Sequence, residues 1–162
     1  MDGSPVADGA IERDGLGFPE QFVLWCWRVW VLGLYRGRCA VPVVERACTE
    51  LGAAGAGSVV HRMMTALGDG ARRPIDIRPP CYPTLSADEQ RLLGAVRYLQ
   101  DGDGVRPLFL LSPLVTADRR GAVLALVADL SRRLLSAGVD LTAAAAGPQP
   151  LRPRHPAGRY DA

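Results

Sequence analysis

Hydrophobic positions recur at helical spacing along most of the chain. Between residues 118 and 137, Val123, Leu124, Val127, Leu130, Leu134 and Leu135 mark one face, and Asp129 stands one turn before Arg133. This is the sixth and most regular helix the pattern predicts. The first runs from Pro19, a residue suited to a helix start, to about Tyr35, ahead of Gly37. A second starts at Pro42 and stops near Gly52, and a third covers Ser58 to Leu67. Ser86-Ala-Asp-Glu89 has the form of a capping box, in which Ser accepts the third amide and Glu reaches back. The fourth helix follows it with Leu92, Leu93, Val96 and Leu99 on one face. A short fifth helix starts at Pro107 and is interrupted by Pro113.

The expected fold is therefore all-α, with about six helices. The predicted domain covers 18–142, between tails without regular structure at 1–17 and 143–162. Gly37 and Gly102, Pro42 and Pro107, and Gly57 and Gly121 are 65, 65 and 64 residues apart. That spacing suggests two three-helix units, 18–70 and 84–142. Their linker, 71–83, holds Pro74, Pro79, Pro80, Cys81 and Pro83, which cannot continue a helix. A short extended piece is expected at Ile75–Ile77.

Composition removes several functions. All 19 basic residues are Arg, so Schiff-base chemistry and a Walker lysine are excluded. The absence of Lys and Asn, with Ile only at 11, 75 and 77, points to a GC-rich coding sequence of bacterial type. A net charge of +2 with interspersed signs gives no general electrostatic case for nucleic acid or an anionic membrane. The apolar run at 22–35 is shorter than a membrane span of about 20 residues and carries Arg28 in its middle. No signal-like start is present, and four cysteines read as free thiols, which together place the chain in the cytoplasm.

Candidate chemistry is sparse. Cys26, Cys39, Cys48 and Cys81 are separated by 12, 8 and 32 residues, with no close pair of the kind zinc sites use. No metal or other cofactor is expected; a metal, if bound, would draw on Cys81, His61 and Cys48. Cys81 lies near Arg72, Arg73 and Arg78, which favour thiolate, although Asp76, Asp88 and Glu89 oppose that field. No catalytic residue stands out, because capping accounts for Asp88 and Glu89. A helix-turn-helix from the second and third helices would offer His61, Arg62, Arg72 and Arg73 to DNA, across a connector longer than that motif uses.

The aromatic first helix suggests something else. Trp25, Trp27 and Trp30 cannot share one narrow stripe, so this helix is central or covered by a partner. Trp25, Trp27, Trp30 and Arg28 are the expected interface, with Arg36 and Arg38 as a polar rim. A second expected binding surface is the loop carrying Arg73, Arg78, Cys81 and Tyr82. The reading is a non-enzymatic helical protein acting through a homodimer or a helical protein partner, in a regulatory role. The alternatives are a thiol or metal site at Cys81 and a DNA-binding helical protein.

Ile75, Ile77, Pro80, Cys81 and Pro83, followed by Ser86–Glu89 opening a helix, resemble an uncharacterised all-helical family of alphaproteobacterial proteins over residues 20–138. The resemblance implies a helical fold and a cytoplasmic setting, and brings no activity with it. The chain has one cysteine in this motif where that family clusters several, so no thiol or metal role is carried over.

Overall fold

The computed structural model describes residues 10–143. Six α-helices follow a short 3-10 turn at Arg13–Gly15: α1 (Phe18–Tyr35), α2 (Val41–Glu50), α3 (Ala56–Asp69), α4 (Ala87–Gln100), α5 (Arg106–Leu111) and α6 (Ala117–Ser136). The fold is all-α, and the described residues contain only two isolated β-bridges, Glu12 with Thr84 and Ala71 with Val115. The extended piece expected at Ile75–Ile77 finds no pairing partner and forms no strand. Residues 10–17 are not a loose tail: Leu85 and Arg13 donate backbone hydrogen bonds to Ile11 and Pro83. Tail expectations for 1–9 and 144–162 lie outside the described residues.

The core lies where α3 packs along α6 and where α1 and α4 close over them. Val59, Val60, Met63 and Leu67 meet Val123, Val127, Leu130 and Leu134 in one buried cluster with Leu24, Trp27, Leu92 and Val96. Leu111, Leu114 and Val115 extend it beneath α5, and all three are wholly buried.

Helix ends are set by local chemistry. The Ser86 hydroxyl accepts the Glu89 amide while Glu89 Oε2 accepts the Ser86 amide, as the capping box requires. Glu20 plays the second half of that role in α1, accepting the Gly17 amide at 3.0 Å. At the other end, Gly37 adopts φ 62° so that Arg38 N–H can reach back to Gly33 O. Gly102 adopts φ 83°, and Asp103 N–H reaches Tyr98 O in the same way. Both are Schellman turns, in which glycine supplies the left-handed residue at no steric cost. Each is followed by a shorter helix with proline at its second position, Pro42 in α2 and Pro107 in α5.

Two ion pairs join α1 to α4. Glu20 is the third residue of α1 and pairs with Arg97, the eleventh of α4, at 2.7 Å. Glu89 is the third residue of α4 and pairs with Arg28, the eleventh of α1, at 2.8 Å. Start of one helix against body of the other, in both directions, requires that the two run antiparallel.

Candidate functional site

The Pro-rich segment carries four of the residues that the sequence singles out for binding, and the fold uses three of them internally. Arg73 makes a bidentate pair with Asp88, at 2.8 Å through each nitrogen. Arg78 donates to Thr84 Oγ1 and lies 4.7 Å over the Tyr82 ring. Tyr82 also gives its backbone carbonyl to Arg28. Only Cys81 is exposed without such a task. The segment is a strap, held also at Asp76, whose amide donates to Asp88 and whose carbonyl accepts from Ser86 Oγ.

Arg28 closes that strap from beneath. Its guanidinium donates to both carboxylate oxygens of Glu89 and to the carbonyls of Tyr82 and Thr84, at 2.8–2.9 Å. Glu89 in turn accepts from the amides of Arg78 and Ser86. Neither side chain is more than 1% exposed. The expectation that Arg28 borders an interface is corrected here, because a charge buried among so many partners presents no surface. Trp27 is corrected likewise, since it is wholly enclosed in the core. Trp25 is half-buried and stacks on Phe22, with ring centroids 6.2 Å apart.

Trp30 leads to an open groove in the surface. Its indole N–H donates to His61 Nδ1 at 3.0 Å, which fixes the imidazole as an acceptor on that side. The pair forms one wall of an open groove of about 320 Å³ at the junction of α1, α2 and α3. Gly33, Leu34, Arg38, Cys39 and Val41 complete it. Gly33 is required by the fold, because a Cβ there would stand 2.7 Å from Arg38 O and 2.8 Å from Ala40 Cβ. The Schellman turn is thus pressed against its own helix, and the groove is the hollow left beside the contact.

Around the groove the surface is apolar with a cationic edge. Leu34 is 62% exposed, Tyr35 86% and Val43 54%. Arg36 and Arg38 are exposed beside them and make no ion pair among the described residues. Exposed Tyr and Arg are residue types enriched at protein interfaces. Leu34, Tyr35 and Val43 were not marked by the sequence, whose periodicity makes the whole of α1 look equally buried. The usable signal was position: Tyr35 is the last residue of the helix, where no neighbour follows to cover it.

The thiols divide into two kinds. Cys26 and Cys48 are buried beside each other between α1 and α2, and Cys39 and Cys81 are exposed. The hydrogen bond with Cys48, and then burial, push the Cys26 thiol far above its ordinary range, so that it is inert as a nucleophile. Cys81, His61 and Cys48 are not brought together: no group of three potential metal ligands occurs among the described residues. His61, also proposed as a reader of DNA, instead holds Trp30, and Arg62 lies 3.7 Å from Asp129. No described helix is long and apolar enough to cross a membrane. Comparison with family models, with curated proteins and with solved structures finds no match for the chain.

Proposed function

We propose that this chain is a non-enzymatic helical protein that acts by associating with a second copy or a helical partner through the corner where α1 turns into α2. One observation carries the reading: exposed Leu34 and Arg38 line an apolar groove, and Tyr35, Arg36 and Val43, within two positions of lining residues in the chain, are exposed as well. Burying such a patch gains about 25 cal/mol for each Å² removed from water, and large solvent-facing aromatics on small proteins are concentrated at contact sites. The test is the mass of the purified full chain, with whatever co-purifies at fixed stoichiometry, for wild type and Tyr35→Asp. The reading expects a complex that Tyr35→Asp abolishes while the circular dichroism stays helical. Wild type that is monomeric and alone, with a mass unchanged by Tyr35→Asp, sinks it.

A second reading concerns the architecture that builds this corner. We infer two three-helix units, α1–α3 and α4–α6, of which the second repeats the first. Support comes from the reciprocal ion pairs: Glu20-Gln21, Leu24 and Arg28 stand in α1 where Glu89-Gln90, Leu93 and Arg97 stand in α4. A twofold arrangement exchanges the partners of every contact across its axis, and these two contacts are exchanged in that way. Double-mutant cycles on Glu20–Arg97 and on Glu89–Arg28 test it: a favourable coupling within each pair is expected, smaller for the more exposed Glu20–Arg97, and a pair with no coupling tells against it.

The free state of all four cysteines supports a reducing setting, consistent with a cytoplasmic protein. Alkylation of freshly lysed cells in denaturant, which exposes the buried Cys26 and Cys48, should label four thiols per chain; a disulfide trapped in that experiment removes this part of the reading.

A further inference from the structure

The corner at the end of α4 has the same construction as the corner at the end of α1, with its charge reversed. Gly37 is flanked by Arg36 and Arg38, and Gly102 by Asp101 and Asp103. Both glycines hold left-handed Schellman turns, and both turns lead within a few residues to a proline-started short helix. Each corner also exposes apolar side chains. At the second these are Val105 (63%), Leu108 and Phe109 (71%). Asp103 accepts the amides of Val105 and Arg106 and lies 3.4 Å from the Arg106 guanidinium, which leans over Tyr98 at 5.1 Å. Asp101 is exposed and has no ion-pair partner among the described residues. The second corner therefore exposes a phenyl ring on α5 and, at the end of α4, an unneutralised carboxylate. The first is an open apolar groove beside two unneutralised guanidinium groups.

Because α1 and α4 run antiparallel, their ends, and with them the two corners, lie at opposite ends of the helix pair. One molecule thus carries two complementary surfaces that it cannot bring together itself. We propose, resting on the association reading above, that the partner is a second copy of this chain docked head to tail. The acidic α4–α5 corner of one copy enters the cationic α1–α2 groove of the next, with Phe109 against Trp30 and Leu34 and Asp101 facing Arg36 and Arg38. A contact between unlike surfaces leaves one free corner at each end of the pair, so assembly continues past the dimer into rings or short filaments. The opposite charges guide the encounter and select against groove-to-groove pairing, where four guanidinium groups would meet.

The experiment is native mass spectrometry of the full chain, for wild type, Tyr35→Asp and Phe109→Asp, each alone and the two variants mixed. Both substituted side chains are largely solvent-exposed, so the helical content should remain that of wild type. The expected result is a wild-type distribution that grows beyond dimer with concentration, and monomers for each variant alone. The equimolar mixture should form a heterodimer and nothing larger, because it contains one intact groove and one intact knob. Raising salt from about 50 to 500 mM should weaken the wild-type contact by roughly tenfold, as the Debye length shrinks across that range. Association that survives Phe109→Asp but not Tyr35→Asp overturns the head-to-tail pairing and leaves the α1–α2 corner as a site for another partner. A mixture without heterodimer, or a wild type that stays monomeric at every concentration, also overturns it. If in that case Tyr35→Asp still removes a co-purifying protein, the broader reading stands.

Discussion

The two ion pairs across α1 and α4 have the same residues at the same helix positions, yet they live in different surroundings. Arg28 and Glu89 are sealed beneath the Pro-rich strap, and the guanidinium is shared with two strap carbonyls. Arg97 is 46% exposed and reaches only one oxygen of Glu20. The difference teaches what the strap does. A buried charge has lost its hydration and depends on every protein partner it has, whereas an exposed one can replace a lost partner with water. The 71–86 segment thus converts an ordinary surface pair into a structural anchor, and the anchor in return holds a segment that has no regular hydrogen bonding of its own.

The largest effect should come from breaking the sealed pair. Glu89→Ala strands the Arg28 charge and removes the acceptor for the amides of Arg78 and Ser86, so a loss of about 3–5 kcal/mol is expected in urea unfolding. Replacing both partners, as Arg28→Met with Glu89→Leu, should recover only part of that loss. The stranded charge disappears, but the Tyr82 and Thr84 carbonyls and the two amides stay without partners. Full recovery would mean that the strap depends on the pair less than its geometry implies.

The sequence carried the helices better than the surfaces. Six helices were legible because apolar spacing, Pro19, Pro42, Pro107 and the Ser86–Glu89 box are local signals, each written within one turn of where it acts. The Arg28–Glu89 pair was not legible, since its partners are 61 positions apart and nothing local distinguishes a buried Arg from a rim Arg. The loop shows the same gap, since Arg73 and Arg78 are tied to Asp88 and Thr84, pairings that no signal within one turn of either residue announces. The groove was hidden for a related reason. It exists because Gly33 admits the turn that carries Arg38 and Ala40, and that approach is a property of the folded corner.

An intermediate effect belongs to Asp88, which has no counterpart in α1, where Pro19 takes the equivalent second position. Its carboxylate gathers Arg73, Arg91 and the Asp76 amide, and is itself only 3% exposed. The hydrogen bonds from Arg73 hold its pKa below the usual carboxylate value, with the Asp76 amide and the fields of Arg73 and Arg91 adding to the shift against the cost of burial. A lowered native pKa gives stability that is complete above the unfolded value and is lost as pH falls through the native one. Asp88→Asn should therefore cost about 2 kcal/mol at neutral pH. The gap between variant and wild type should narrow below about pH 4, where the unfolded chain takes up its proton. A gap that stays constant from neutral pH to pH 2 would show that Asp88 acts by shape alone.

The smallest effect, and the sharpest test of the comparison, is Arg97→Ala. Glu20, itself only 6% exposed, would keep the Gly17 amide, and truncating the half-exposed Arg97 side chain opens the freed oxygen to water, so the expected loss is about 1 kcal/mol. That loss should shrink further in high salt, because the guanidinium sits in solvent that screens it. Arg28→Ala in the same background should respond little to salt, since the buried pair is closed to ions. Thermal unfolding of both variants at low and high ionic strength measures the contrast directly. Equal losses with equal salt dependence would mean that helix position alone sets the worth of these pairs and that the strap covers Arg28 without strengthening it. Unequal losses would assign the difference to the cover, since the residues, their spacing and their helices are otherwise alike.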